Sequence, residues 1–163
     1  QVLRSAGSCP ILVLGRHGDE TRLELARTLG ADAAIVADRD GAREQAARFT
    51  DGIGMVLVIE TAGTPEAVQT ALDIAGGKGT VVTLGLARFT EIDALTVMRK
   101  DLTWMGVVAS VRRHYAEAIR LVRTGKVQPE RLITHRMPLA DALSGVSLMR
   151  DCKAVKIMFT PGA

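Results

Sequence analysis

Apolar residues along the chain fall into short unbroken runs separated by stretches in which they recur at helical spacing. The runs at 11–14 (ILVL), 33–36 (AAIV), 55–59 (MVLVI), 80–84, 102–108 (LTWMGVV), 132–135 and 155–159 are brief and rich in β-branched residues. Such runs predict strands of a parallel sheet, and the run at 55–59 one buried on both faces. Between them the 3.6-residue period predicts helices. Leu25, Ala26 and Leu29 mark a helix over 20–29 that starts after Asp19 and stops at Gly30. A short helix is expected over 42–49, after a polar turn at 38–40. Residues 92–98 read as another short helix. Tyr115, Ala118, Ile119 and Val122 mark a helix over 112–125, and Leu139, Ala142, Leu143, Val146 and Met149 mark the last one. Residues 1–7 read as the end of a helix, with Gly7 past it. Strands alternate with helices throughout, which predicts an α/β, doubly wound, mostly parallel sheet.

The stretch 55–86 organises the rest. Glu60 closes the first strand, and Thr61-Ala62-Gly63 forms a bend. Thr64 is a natural N-cap, and Pro65 suits the first helical position. Val68, Ala71, Leu72 and Ala75 form the inward face, and Gly76-Gly77 is expected to end the helix before the strand at 80–84. A strand–helix–strand unit of this kind carries a right-handed crossover. Ligands of such sheets bind beyond the carboxyl ends of the strands. Thr61, Ala62 and Gly63 therefore share a rim with Leu84, Gly85 and Leu86, and these two turns are the first candidates for a site.

Composition narrows the function. With 163 residues the chain can bury one sizeable core, and with aromatics at only 3% that core must be aliphatic. No apolar run approaches the ~20 residues of a membrane span, and no signal peptide is visible. Cys9 and Cys152 show no framework spacing and read as free thiols of a cytoplasmic protein. The net charge of +3 is spread along the chain, without aromatics interleaved in a basic run. That argues against nucleic acid and suits an anionic cofactor. His17, His114 and His135 lie far apart and neither cysteine has ligand spacing, so no metal site is expected. Neither Ser110 nor Ser144 sits in a nucleophile elbow.

The strings RLELARTLGAD, VLVIETAGTPEAVQTALDIAGGKGTVVTLGL, DLTWMGVVAS, AEAIRLVRTGKV, LITHRMPLADAL and CKAVKI carry a resemblance across nearly the whole chain. In order and spacing they resemble the cofactor-binding Rossmann domain of zinc-dependent medium-chain alcohol dehydrogenases, particularly the polyol and threonine dehydrogenase branch. The resemblance implies a single NAD(P)-binding domain over 1–163. It lacks the GroES-like domain that supplies the catalytic zinc ligands, and it also lacks the first strand with its glycine fingerprint. In this register ILVLG is the second strand, and the chain reads as a fragment or truncation. A rival register makes ILVLG the first strand, with Gly15-x-x-Gly18 as a degenerate phosphate loop and Asp38 holding the ribose; the third glycine of that motif is missing.

The resemblance also assigns residues. Gly15 and Arg16 follow the strand whose end usually carries an acid in NAD-binding members. Arg16, with Arg22 as a second cation, instead suits the 2′-phosphate of NADP, so the cofactor is NAD or NADP with NADP favoured. The turns at Thr61-Ala62-Gly63 and Leu84-Gly85-Leu86 match contacts to the nicotinamide and ribose. Val107 and Ala109 match backbone contacts to the carboxamide, and Lys156 a cation near the pyrophosphate. Each of these is also compatible with plain packing or a solvated turn. The function implied is hydride transfer between an alcohol and NAD(P), with zinc bound only in the complete enzyme and no catalytic residue in this chain. The isolated chain is then expected to oxidise no alcohol. The alternative is a non-catalytic module that dimerises or binds a nucleotide weakly. The proline-free run 102–108 predicts a homodimer seam, with Trp104 in or near it.

Overall fold

The computed structural model describes residues 1–7, 10–88 and 90–162, which leaves Cys9 outside the described residues. Two compact units are present: one comprises Gln1–Val36 and Val111–Ala163, the other Ala37–Ser110.

The first unit begins with helix α1 (Val2–Ser5), followed by Gly7 at positive φ. Strand β1 (Leu12–Gly15) pairs in parallel with β2 (Ala33–Val36), and helix α2 (Glu20–Thr28) connects them. Arg4 ties α1 to this ladder: its guanidinium donates to Gly30 O and to Asp32, whose other donor is the Ile11 N–H. The inward residue of α2 is Leu23, while Leu25, Ala26 and Leu29 are only half-buried. Later in the chain come α6 (Arg112–Arg123), a 3-10 turn at Pro129–Leu132, β6 (Ile133–Pro138), α7 (Ala142–Arg150) and β7 (Lys156–Thr160). β6 and β7 are parallel. Gly145 of α7 lies against the Phe159 ring of β7, where a larger residue would not fit. The apolar positions expected to turn inward on these helices do so only in part, since Tyr115, Ile119, Leu143 and Val146 are exposed.

The second unit begins with α3 (Arg39–Phe49) and holds the parallel sheet of β3 (Met55–Glu60), β4 (Ala75–Thr83) and β5 (Thr103–Gly106), in that order. Helix α3 starts three residues before the expected point, because the Asp38 carboxylate accepts the Gly41 N–H and makes the polar turn a helical one. Helix α4 (Pro65–Ile74) is capped by Thr64, whose hydroxyl accepts the Ala67 N–H. Val68, Ala71, Leu72 and Ala75 are all buried, and with Val81 and the flanking Val58, Ile92, Val97 and Leu102 they form the core. Leu72, Val68 and Val81, each fully buried, contribute about 1.5–3 kcal/mol apiece. The helix does not run to Gly76-Gly77: at Ala75 the backbone is already extended and enters β4. Helix α5 (Ala94–Arg99) starts from the cap Asp93 and leads into β5.

One expectation for β3 fails. The strand is not buried on both faces, and Val56 is 79% exposed with Leu57 and Ile59 also in contact with solvent. Among the described residues Val58 packs against the core beneath α4 and Glu60 is buried, while Val56, Leu57 and Ile59 stay open to solvent.

Candidate functional site

In the second unit all three strands run the same way, so their carboxyl ends share one edge of the sheet. Thr61-Ala62-Gly63 follows β3, Leu84-Gly85-Leu86 follows β4, and Val107 to Ala109 follows β5. Eight of the predicted residues or their neighbours thus meet along that edge. The first two turns touch closely. Gly63 has φ +71°, and a Cβ there would come within 2.6 Å of Leu86 N. A Cβ on Gly85 would overlap Gly63 N. Only glycine permits this approach. Ala109 also adopts positive φ, a conformation that strains a residue with a Cβ. Leu84, Leu86, Val107 and Val108 expose apolar surface along the rim.

Glu60 lies beneath the two turns. Its Oε1 accepts the N–H groups of Ala62 (2.6 Å) and Gly63 (2.7 Å), and its carbonyl accepts those of Leu84 and Gly85. Sequence reasoning treats Glu60 only as the end of a strand, yet it is 5% exposed. Beside the Thr61 turn, a hollow of about 540 Å³ opens between the first turns of α3 and α4, lined by Arg39, Pro65, Glu66 and Ile92 among others. A second cavity, about 200 Å³, lies at the opposite, amino end of the sheet beside Arg43, Gly54, Gly76 and Lys100. Its cations are engaged: Lys100 Nζ donates to the carbonyls of Leu72, Asp73 and Ala75, and Arg43 binds Asp73.

The remaining predicted residues belong to the first unit. Gly15 ends β1 and Arg16 follows it. The Arg16 side chain is 78% exposed, 3.9 Å from Asp19. Arg22 is held at 2.7 Å by Asp19 and donates to Ala154 O. Asp19 does not cap α2 with its side chain as expected; the carboxylate folds back to accept the Arg16 N–H at 3.3 Å. An acid therefore does stand at this turn, but Arg22 neutralises it and Arg16 keeps the exposed charge. Lys156, exposed, opens β7 two residues after Ala154. Asp38, the ribose acid of the rival register, is committed to the α3 cap. Among the described residues no three His, Cys, Asp or Glu side chains are placed to hold a metal ion. Cys152 is a free thiol, and no helix among the described residues is long and apolar enough to cross a membrane.

Residues 1–124 match the family model of the zinc-binding dehydrogenases. The chain belongs to that family. A sorbitol dehydrogenase of Halalkalibacterium halodurans is 26% identical over 163 residues, covering 99% of this chain and 47% of its own. An L-threonine 3-dehydrogenase of Bacillus velezensis is 31% identical, covering 98% and 46%. The polyol and threonine branch read from the sequence is thus the one the relatives occupy. Among solved structures, alcohol dehydrogenase TADH from Thermus sp. ATN1 superposes with a TM-score of 0.90 at 28% identity, over 99% of this chain and 47% of that one. A short chain alcohol dehydrogenase from Escherichia coli CFT073, solved with the cofactor NADH, gives a TM-score of 0.85 at 24% identity, over 98% and 47%. The chain spans about half the length of the relatives it matches, and its Rossmann-like α/β fold is that of dehydrogenases.

Proposed function

We propose that residues 1–163 serve as the nicotinamide-dinucleotide-binding domain of a zinc-type alcohol or polyol dehydrogenase. The observation that carries this is the carboxyl rim of β3, β4 and β5, where glycine-built turns and exposed aliphatic side chains come together. Those features fit a flat ring with one apolar face and polar edges: small residues admit it closely, and backbone groups bond its rim. The bound nicotinamide would supply the hydride acceptor. Thr61, Ala62, Gly63, Leu84, Gly85 and Leu86 would orient the ring and ribose and exclude water from one face, and Val107 and Ala109 would present backbone groups to the carboxamide. Arg16 and Lys156 would meet phosphates. No step is assigned to zinc through this chain. The free Cys152 and the absence of a framework of cysteines support a cytoplasmic setting.

NADP is the favoured cofactor, because Arg22 already neutralises Asp19 and Arg16 remains exposed. Calorimetric titration checks this. Arg16→Ala should weaken NADP binding about fivefold, as loss of one solvent-exposed charge contact, and leave NAD unchanged. NAD bound as tightly as NADP, or NADP binding that Arg16→Ala leaves unchanged, would refute the preference.

We also propose a homodimer through β5. Among the described residues the strand pairs with β4, its side chains are exposed, and Leu95 and Met98 of α5 are open to solvent. Trp104 donates its indole N–H to Thr83 at 2.8 Å, so its polar atom is satisfied and its ring offers apolar area. Self-pairing about a two-fold axis would satisfy the free edge.

A further inference from the structure

We infer that Glu60 is a positioning residue, whose buried carboxylate and carbonyl lock the turn at 61–63 to the turn at 84–86 and so set the surface on which the cofactor lies. The inference rests on the dinucleotide reading above.

A glutamate ending an apolar strand ordinarily turns its carboxylate to water, since burying it is costly. Here the side chain turns inward. One residue accepts four N–H groups, two from each turn: Ala62 and Gly63 through Oε1, Leu84 and Gly85 through its carbonyl. The second carboxylate oxygen is buried without a hydrogen-bond partner and rests against Gly85, 2.7 Å from where a Cβ at that position would sit. That oxygen fills the space beside Gly85 while Oε1 holds the Gly63 N–H, so the carboxylate touches both turns. Glu60 is therefore the residue through which the turn after β3 and the turn after β4 are joined. Strand ends otherwise end their ladder independently, and each turn alone would be a mobile surface loop. Pre-ordering both lowers what a ligand lying across them must spend on ordering.

The test uses the full 163-residue chain with NADP and NAD as probes, titrated calorimetrically, alongside amide exchange of the free protein. Glu60→Met keeps the bulk and removes the acceptor; Glu60→Gln keeps one acceptor oxygen. Glu60→Met should weaken both cofactors about tenfold, the scale of losing hydrogen bonds to one ionic acceptor, and should speed exchange at Ala62 and Gly63 while Val81 in the core stays protected. Glu60→Gln should stay within about threefold of the unsubstituted chain, because one oxygen can still accept both N–H groups. If Glu60→Met does not fold, Glu60→Asp, which draws the carboxylate back by one methylene, carries the same expectations. A folded Glu60→Met protein that binds as before would overturn the inference. So would Val81 losing protection together with Ala62, which would make Glu60 a general stability residue. If the unsubstituted chain binds neither cofactor, the dinucleotide reading fails, and the exchange pattern alone then decides whether the tie between the turns stands.

Discussion

Asp73→Asn tests the electrostatic account of the second unit. Asp73 lies near the end of α4 with a side chain 5% exposed. Its Oδ2 receives Arg39 Nε (2.9 Å) and both Nε (3.1 Å) and Nη2 (2.7 Å) of Arg43; Oδ1 receives Gln69 Nε2 at 2.9 Å. Gln69 in turn accepts the Asp93 N–H, so the carboxylate joins α3, α4 and the start of α5. Burial alone would push the carboxyl up, but hydrogen bonds from Gln69, Arg39 and Arg43 together outweigh it and hold the group below its ordinary 3.8. Asparagine keeps the shape but turns an N–H₂ toward either the guanidinium groups or Gln69. Losing a hydrogen-bonded ion of this kind costs about 1.5–3 kcal/mol, and water recovers part of that at the two half-exposed arginines. The expected loss is about 2 kcal/mol, or about 4–8 °C in Tm for a chain of this size. A carboxyl depressed in the folded state stabilises fully above its unfolded value of 3.8 and stops doing so as the pH falls through its lowered folded value. The gap between the two proteins should therefore be constant from about pH 5 to about pH 8 and close below 3.8. Thermal melts followed by circular dichroism measure it. An undiminished gap at about pH 2, or none at about pH 7, would show that the Asp73 charge does not stabilise the fold in this way.

Two further outcomes follow from the same structure. Gly85→Ala places a Cβ on Gly63 and near Glu60 Oε2, so it should cost about 1–3 kcal/mol by overpacking and weaken NADP and NAD alike; melts and titration read both. Gly106→Pro should convert a dimer to a monomer in sedimentation while leaving the β4–β5 ladder intact, because the Val107 N–H points to Thr83 O and that of Gly106 therefore points away from β4.

The stretch around α4 was legible because local chemistry and tertiary packing agree there: Thr64, Pro65 and the buried face Val68, Ala71, Leu72 and Ala75 all take the expected roles. The errors arise where a tertiary partner decides. Gly76-Gly77 reads as a helix stop, but pairing with β3 recruits that segment into β4. Asp19 reads as a cap, but Arg22, one turn on, draws its carboxylate away. Helical spacing in α6 and α7 marks an apolar stripe without saying what covers it, and Tyr115 and Leu143 are exposed. In the sequence Glu60 reads as no more than a strand end, because nothing local distinguishes a glutamate that turns inward. The signal that could have found it is its place immediately before a bend with two free N–H groups, since such groups need an acceptor.

We propose that a nicotinamide dinucleotide lies on the rim formed after β3, β4 and β5. Titrating the isotopically labelled chain with NADP and following every backbone amide by NMR tests it most directly. Saturable shifts concentrated at Gly63, Gly85, Leu86, Val107 and Ala109, with Gly54 and Gly76 at the amino end of the sheet unmoved, are the predicted result. Shifts centred on Gly54 and Gly76, or no saturable shift with either NADP or NAD, would contradict it.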